Sequence, residues 1–331
     1  MNILSPIDSV SEVDKLIAQG ANELYCGIMS KEWKNKYTSI GAVNRREWAG
    51  CNLSSLKELE EITSKAHKHN VPVFLTLNSA FYTDEQIPLI MQTVNKALRF
   101  EIDGFIVTDI GLIQKLKEFK KQKNFEIHLS SGATVFNSKS VEFYKKVGVD
   151  RVILPRHMTI QEIKELTVKS KESYNKVDLE VFIFNDGCTN IDGFCNTLHG
   201  IGGDYNKAQL YCESPSTFQV ESTKNQINPR MIRTIKSRFA NKEHYLQMDC
   251  GACALYDFKK AGIKSVKIVG RGKPTTKKIK DVSFFAQLME FLHNTNFKED
   301  FQKKAKQLHY NFYNEKCSYG KCYYPDYMPP A

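Results

Sequence analysis

Short apolar runs rich in β-branched and aromatic residues alternate along the chain with longer stretches whose apolar positions recur every three to four residues. That alternation is the pattern of a parallel sheet whose crossovers are helices. It predicts strands at Asn2 to Pro6, Glu23 to Ile28, Pro72 to Asn78, Gly104 to Asp109, Glu126 to Ser131, Arg151 to Pro155, Asp178 to Asn185 and Ser265 to Val269. Helices are predicted between them, roughly Ser9 to Gln19, Ser54 to Asn70, Asp84 to Phe100, Ile110 to Gln122, Ser138 to Val147, Thr159 to Ser170, Ala252 to Ala261 and Lys280 to Asn294. Capping residues open several of them, such as Ser54 near Glu58 and Thr159 before Glu162, and Gly20, Gly148 and Gly262 follow helix ends.

Eight strand-then-helix units in about 295 residues fit a TIM-type (β/α)8 barrel better than an open doubly wound sheet. A dinucleotide-binding sheet would carry glycines after its first strand, and Leu4-Ser-Pro-Ile-Asp-Ser9 has none. The expected organisation is a barrel over residues 1–295, including a cysteine-bearing insertion at 186–251 after strand seven, and a C-terminal tail over 296–331 with no fold of its own evident. A second long connection, Met29 to Leu53, follows strand two. Both sit at the C-terminal ends of strands, the face where barrels of this type place their chemistry.

The 331 residues carry 47 Lys and Arg against 37 Asp and Glu, and the resulting +10 permits nucleic acid as a partner without arguing for it. A composition 41% hydrophobic and 25% charged excludes disordered, collagenous and coiled-coil classes. No run approaches the ~18 apolar residues of a membrane span, and the N-terminus reads as a strand and not as a leader, so a soluble, cytoplasmic protein is expected. There are nine cysteines, which in such a compartment are metal ligands or core residues more often than disulfides.

Cys188, Cys195, Cys212 and Cys250 stand as Cys-x6-Cys-x16-Cys-x37-Cys in the segment after strand seven, with Cys253 just beyond. Four thiolates from one irregular segment suit tetrahedral zinc or an iron–sulfur cluster. Zinc usually shows tight Cys-x2-4-Cys knuckles; of this group only Cys250-Gly-Ala-Cys253 has one, and the wider gaps suit a 4Fe–4S cube better. Unligated cysteines remain the third reading. Cys26 reads as buried packing. Cys317 and Cys322 read first as docking the tail on the barrel, with a second metal or redox site as the alternative.

Several segments in order resemble peptidase family U-32, the collagenase-like group: Leu4-Ser-Pro6, Gly20-Ala-Asn-Glu-Leu-Tyr-Cys-Gly27, Val73-Phe-Leu-Thr-Leu-Asn78, Gly104-Phe-Ile-Val-Thr-Asp-Ile-Gly111, Val152-Ile-Leu-Pro-Arg156, Leu179-Glu-Val-Phe-Ile-Phe184 and Ser265-Val-Lys-Ile-Val-Gly-Arg271. The cysteine spacing is similar to that of UbiU- and UbiV-like members, which carry a 4Fe–4S cluster. The resemblance therefore implies such a cluster on Cys188, Cys195, Cys212 and Cys250. It further implies oxygen-independent hydroxylation of an aromatic, quinone-type or nucleobase substrate, with prephenate or a similar small molecule as hydroxyl donor. Short members work as pairs of homologous subunits, so a second barrel subunit in a heterodimer, or a non-catalytic role in such a pair, is also implied. Cys253, Cys317 and Cys322 depart from the family pattern.

Polar groups at the predicted strand ends are the candidates to hold an anionic donor: Asn78, Asp109, Ser130, Ser131, Arg156 and Asn185. Arg156 is the leading carboxylate clamp, because a planar guanidinium bonds both oxygens. Asp109 is a candidate acid or base, or the cap of the following helix. Arg271, in Gly-Arg-Gly-Lys, offers a further anion contact. A peptidase, which the family's name implies, would need a nucleophile beside a base. His128 and Ser130 share one strand face, but the chain has no Gly-x-Ser-x-Gly elbow and no His-Glu-x-x-His helix.

Overall fold

The computed structural model describes residues 1–37, 43–46, 50–172, 177–188, 191–194, 249–317, 321–324 and 327. Eight parallel strands close into a barrel in sequence order: β1 (Asn2–Pro6), β2 (Glu23–Gly27), β3 (Val73–Leu77), β4 (Gly104–Val107), β5 (Glu126–Leu129), β6 (Arg151–Ile153), β7 (Asp178–Phe184) and β8 (Ser265–Ile268). Closure is made by β1 against β8, where Asn2 pairs with Ser265 and Leu4 with Lys267. The strands are buried on both faces, which is why they read as continuous apolar runs and not as alternating ones.

The helices are α1 (Val13–Ala18), α2 (Lys31–Tyr37), α3 (Leu56–His67), α4 (Ile87–Arg99), α5 (Ile110–Phe119), α6 (Ser138–Lys146), α7 (Ile160–Glu172), α8 (Leu255–Ala261), α9 (Thr275–His293) and α10 (Lys298–Tyr313). Side-chain caps open some of them: Ser55, not Ser54, caps α3, Asp109 caps α5 and Asn137 caps α6. Thr159 and Glu162 exchange hydrogen bonds at the head of α7, with Thr159 N donating to Glu162 Oε2 at 2.7 Å and Glu162 N donating back to Thr159 Oγ1 at 3.2 Å.

Two elements go beyond the sequence reading. Lys31–Tyr37 in the first long connection forms a one-face helix seated on a single buried residue, Trp33. The tail is not featureless: α10 packs Phe301, Ala305 and His309 against α9 and the turn before α8. Beyond it Cys322 lies beside Cys250 in a parallel bridge. The Tyr323 hydroxyl donates to the Asn185 carbonyl, and Tyr324 Oη donates to Phe182 O at 2.7 Å. Gly251 is required here, because a Cβ would meet the Tyr324 ring at 2.7 Å.

Candidate functional site

The C-terminal ends of the strands hold a surplus of positive charge. At the centre is Arg271, three residues past β8 and only 3% exposed. Its guanidinium donates to Thr76 Oγ1 at 3.0 Å, Asn44 Oδ1 at 3.1 Å and Asn52 Oδ1 at 3.4 Å, all neutral oxygens. Among the described residues no carboxylate forms an ion pair with it. Burial, and with it the charge of Arg46, pulls its pKa below the usual arginine value. Gly27 at the end of β2 makes room for it, since a Cβ there would stand 1.8 Å from Arg271 Nη1.

Beside it, Asp186 is gripped by two cations: Arg46 Nη2 at 2.7 Å on one oxygen and the Lys273 ammonium on the other. Burial disfavours the ionised Asp186, but Lys273 and Arg46 outweigh it and hold the carboxyl below its ordinary range. The backbone at this point is unusual. Asn185 and Asp186 both have positive φ, 65° and 45°, a conformation that costs of order 1–3 kcal/mol per residue and collects at functional sites. That turn aims Asp186 between the two cations while Asn185 Nδ2 donates to Asp281 Oδ2 at 2.7 Å. Arg46, Arg271 and Lys273 against Asp186 leave this cluster cationic, and Lys278 nearby is already matched by Asp8 and Glu12. Such an arrangement has the chemistry to bind a small carboxylate or phosphate through charge-assisted hydrogen bonds.

The residues put forward from sequence are placed as follows. Arg156 does not lie open at the end of β6. Its Nη1 is 2.6 Å from Asp192 Oδ1 and its plane lies 3.9 Å over the Phe182 ring, so its charge is already paired, while its Nε is buried without a hydrogen-bond partner. Asp109 caps α5, accepting from Leu112 N at 2.7 Å, and also takes Tyr82 N at 3.2 Å. Asn78 Nδ2 donates to Ser130 Oγ at 3.2 Å, and Ser131 opens a single turn of tighter helix. His128 and Ser130 do not meet: the His128 Nε2 lies 2.6 Å from Glu126 Oε2 and its Nδ1 has no partner. Burial, and after it the charge of Arg151, pulls that ring's pKa well below the ordinary imidazole value. Arg46, Asn44 and Asn52 were not singled out in the sequence, because they lie in a long connection without periodicity.

Of the four cysteines assigned to a cluster, Cys195 and Cys212 lie outside the described residues. Cys188 and Cys250 fall at the two ends of the insertion, and the fold fastens those ends together. Asn185 N donates to Asp249 O at 2.9 Å and Phe184 bridges Cys250. Neither is in a disulfide, and Cys188 lies close enough to Arg156 for their charges to interact. Two thiols held at adjacent ends of one segment fit a thiolate-bound cluster. Cys26 is buried within β2, and burial pushes its thiol up to about 12. Among the described residues no group of three or more His, Cys, Asp or Glu is placed so that it could hold a metal ion, and no helix is long and apolar enough to cross a membrane.

A closed (β/α)8 barrel with a cationic cluster at its mouth is the frame of many unrelated enzymes, so fold alone does not name the chemistry. The sequence is decisive on family: the model for peptidase family U32 matches residues 8–327, and the chain belongs to that family. A protein of Methanocaldococcus jannaschii called an uncharacterized protease is 30% identical over 59% of this chain and 43% of its own length. An Escherichia coli synthase of 5-hydroxycytidine in 23S rRNA is 23% identical over 82% of this chain and 37% of its own. A Helicobacter pylori protein named tRNA hydroxylation protein P is 22% identical over 89% of this chain and 66% of its own. The matched region thus spans about two fifths of the first two relatives. A solved U32 peptidase superposes with a TM-score of 0.48 at 14% identity, covering 83% of this chain and 94% of its own.

Proposed function

We propose that the chain is a hydroxylating enzyme that holds a small anionic hydroxyl donor, prephenate or a similar carboxylate, at the barrel mouth and acts on a nucleobase of RNA. The observation that carries the donor site is Arg271, a buried guanidinium whose partners are all neutral. A buried charge without a counterion is costly, and an incoming carboxylate relieves that cost. Arg271 and Lys273 orient the donor, Arg46 and Asp186 fix Lys273, and Gly27 leaves the space the guanidinium occupies. Arg156, paired with Asp192, instead supports the wall near Cys188. A 4Fe–4S cluster on Cys188, Cys195, Cys212 and Cys250, when bound, supplies one-electron redox chemistry, its potential set by thiolate ligation and solvent access.

Nucleobases are favoured as acceptors by the names of the relatives that act on rRNA and tRNA, and the +10 charge suits a polyanion. The test is nucleoside mass spectrometry of RNA from host cells with and without the gene, grown without oxygen. A nucleoside one oxygen heavier should vanish on deletion, return with the wild-type gene, and fail to return with Arg271→Met. An unchanged nucleoside profile in the deletion strain would overturn the RNA reading.

A further inference from the structure

Behind the mouth, where the tail meets the turn before α8, a small cavity of about 30 Å³ is lined by Cys250, Cys253, Cys317 and Cys322, with His309 and Lys306. Its walls come from segments far apart in sequence. Asn314, with φ of 53°, ends α10 and turns the chain toward Cys317. The tail then runs beside Cys250, whose N–H donates to Lys321 O at 2.8 Å while Tyr323 N donates to Cys250 O at 3.1 Å. Three of the four thiols, Cys253, Cys317 and Cys322, are the ones the cluster pattern leaves over. Cys317-x4-Cys322 is a tight knuckle of the spacing that zinc uses.

A second observation points to a ligand. His309 is 5% exposed, and its Nδ1 lies 3.2 Å from the Glu315 carbonyl. A carbonyl only accepts, so Nδ1 carries the proton and Nε2 presents its lone pair. Metal-binding histidines are oriented by a hydrogen bond of this kind to a backbone carbonyl. Lys306, Lys316 and Lys321 also line the cavity, Lys321 paired with Glu315, and their charge offsets the negative charge that three thiolates would bring.

We propose that Cys253, Cys317, Cys322 and His309 form a second metal site, for one zinc-class divalent ion, that pins the tail to the barrel. The site is separate from the cluster reading and does not depend on it; Cys250 stays with the cluster set. The four groups do not converge on one point as placed, and Cys322 donates to Tyr324 O at 3.2 Å. Rotation about the single Cα–Cβ bond redirects each sulfur. Binding ionises three thiols and releases their three protons to solvent, with no change of oxidation state.

The test is metal analysis of the full chain, purified without oxygen, for wild type and for the variants Cys317→Ser, Cys322→Ser, His309→Gln, Cys195→Ser and Cys250→Ser. Wild type should hold about one zinc per chain, and cobalt(II) in its place should give the visible bands of a tetrahedral thiolate site. Cys317→Ser, Cys322→Ser and His309→Gln should lose zinc and keep their iron, and limited proteolysis should then release the tail. Cys195→Ser and Cys250→Ser should lose iron and keep zinc. Zinc retained in Cys317→Ser and Cys322→Ser, or iron lost with it in either, would overturn the proposal. Zinc lost in Cys250→Ser with iron retained would overturn the His309 assignment. Absence of iron in every sample would sink the cluster reading and leave the zinc result standing on its own.

Discussion

The two ends of the barrel hold similar numbers of buried charges and use them in opposite ways. At the floor, the N-terminal strand ends, Arg151 grips Glu23 with both arms at 2.8 and 3.0 Å and reaches Glu180 at 3.2 Å and Glu126 at 3.3 Å. Ser265 donates to Glu23 at 2.7 Å, and Lys267 sits 3.5 Å from Glu180 and 4.1 Å over the Tyr25 ring. Burial drags Lys267 down to about 8 against the pull of Glu180. A cleft of about 560 Å³ opens below this network, yet each of these charges is already answered. At the mouth, Arg271 has only neutral partners and Asp186 is outnumbered by Arg46 and Lys273. The charges at the floor answer one another, while the mouth keeps a buried cation among neutral partners, which is what the proposed donor site rests on.

Replacing Arg151 with Met should break the comparison on the side of stability. It strands Glu23 and Glu180 in the interior, a loss of about 3–5 kcal/mol, read by denaturant unfolding, while donor affinity in the fraction that stays folded is unchanged. Replacing Arg271 with Met should do the reverse. Donor affinity should fall at least about a hundred-fold, because two charge-assisted hydrogen bonds of about 1.5–3 kcal/mol each are lost. Stability should hold or rise, since an uncompensated buried cation is removed. If Arg271→Met unfolds the chain as Arg151→Met does, the two ends are alike.

Gly27→Ala sharpens the same contrast without touching any charge. The new methyl displaces the tip of the Arg271 side chain, so affinity should fall about ten-fold for a stability cost of about 1–3 kcal/mol, measured by titration and melting. Asp109→Ala should lose about 1 kcal/mol from the cap of α5 and leave donor binding unchanged. A large fall in turnover without a fall in stability would make Asp109 an acid or base after all. Last comes the contribution of Asp186 to the pH dependence of stability. Its folded pKa is lowered, so the native state binds fewer protons than the unfolded one. The stabilisation is whole above the unfolded value of about 3.9 and fades as pH falls below it. Acid unfolding of Asp186→Asn should lack that part of the slope.

All eight strands were legible because each is buried on both faces and so reads as an unbroken apolar run. The α10 helix was not, because Lys298-Glu-Asp-Phe-Gln-Lys-Lys-Ala-Lys-Gln-Leu-His309 buries only Phe301, Ala305 and His309. Their spacing of four was the available signal, diluted by lysines. The floor network hides for the opposite reason: Glu23, Arg151, Glu180 and Lys267 are single charges inside apolar strands, and their pairing exists only once the barrel closes. At the mouth, Arg271 was visible in Gly-Arg-Gly-Lys, but Arg46 and Asn44 come from an aperiodic connection that only the fold carries to it. Arg156 drew attention by its position at a strand end, and Asp192, which engages it, lies on a loop whose path no pattern sets. The meeting of Cys322 with Cys250 is likewise a product of tail docking, not of local sequence.

The most direct test is titration calorimetry of prephenate into three anaerobically prepared proteins: wild type, Arg271→Met and Arg156→Met. The account predicts binding to wild type and to Arg156→Met, and none to Arg271→Met at the same concentrations. Equal binding by Arg271→Met, or loss in Arg156→Met alone, would contradict it and move the donor site from the guanidinium with neutral partners to the one beside Cys188.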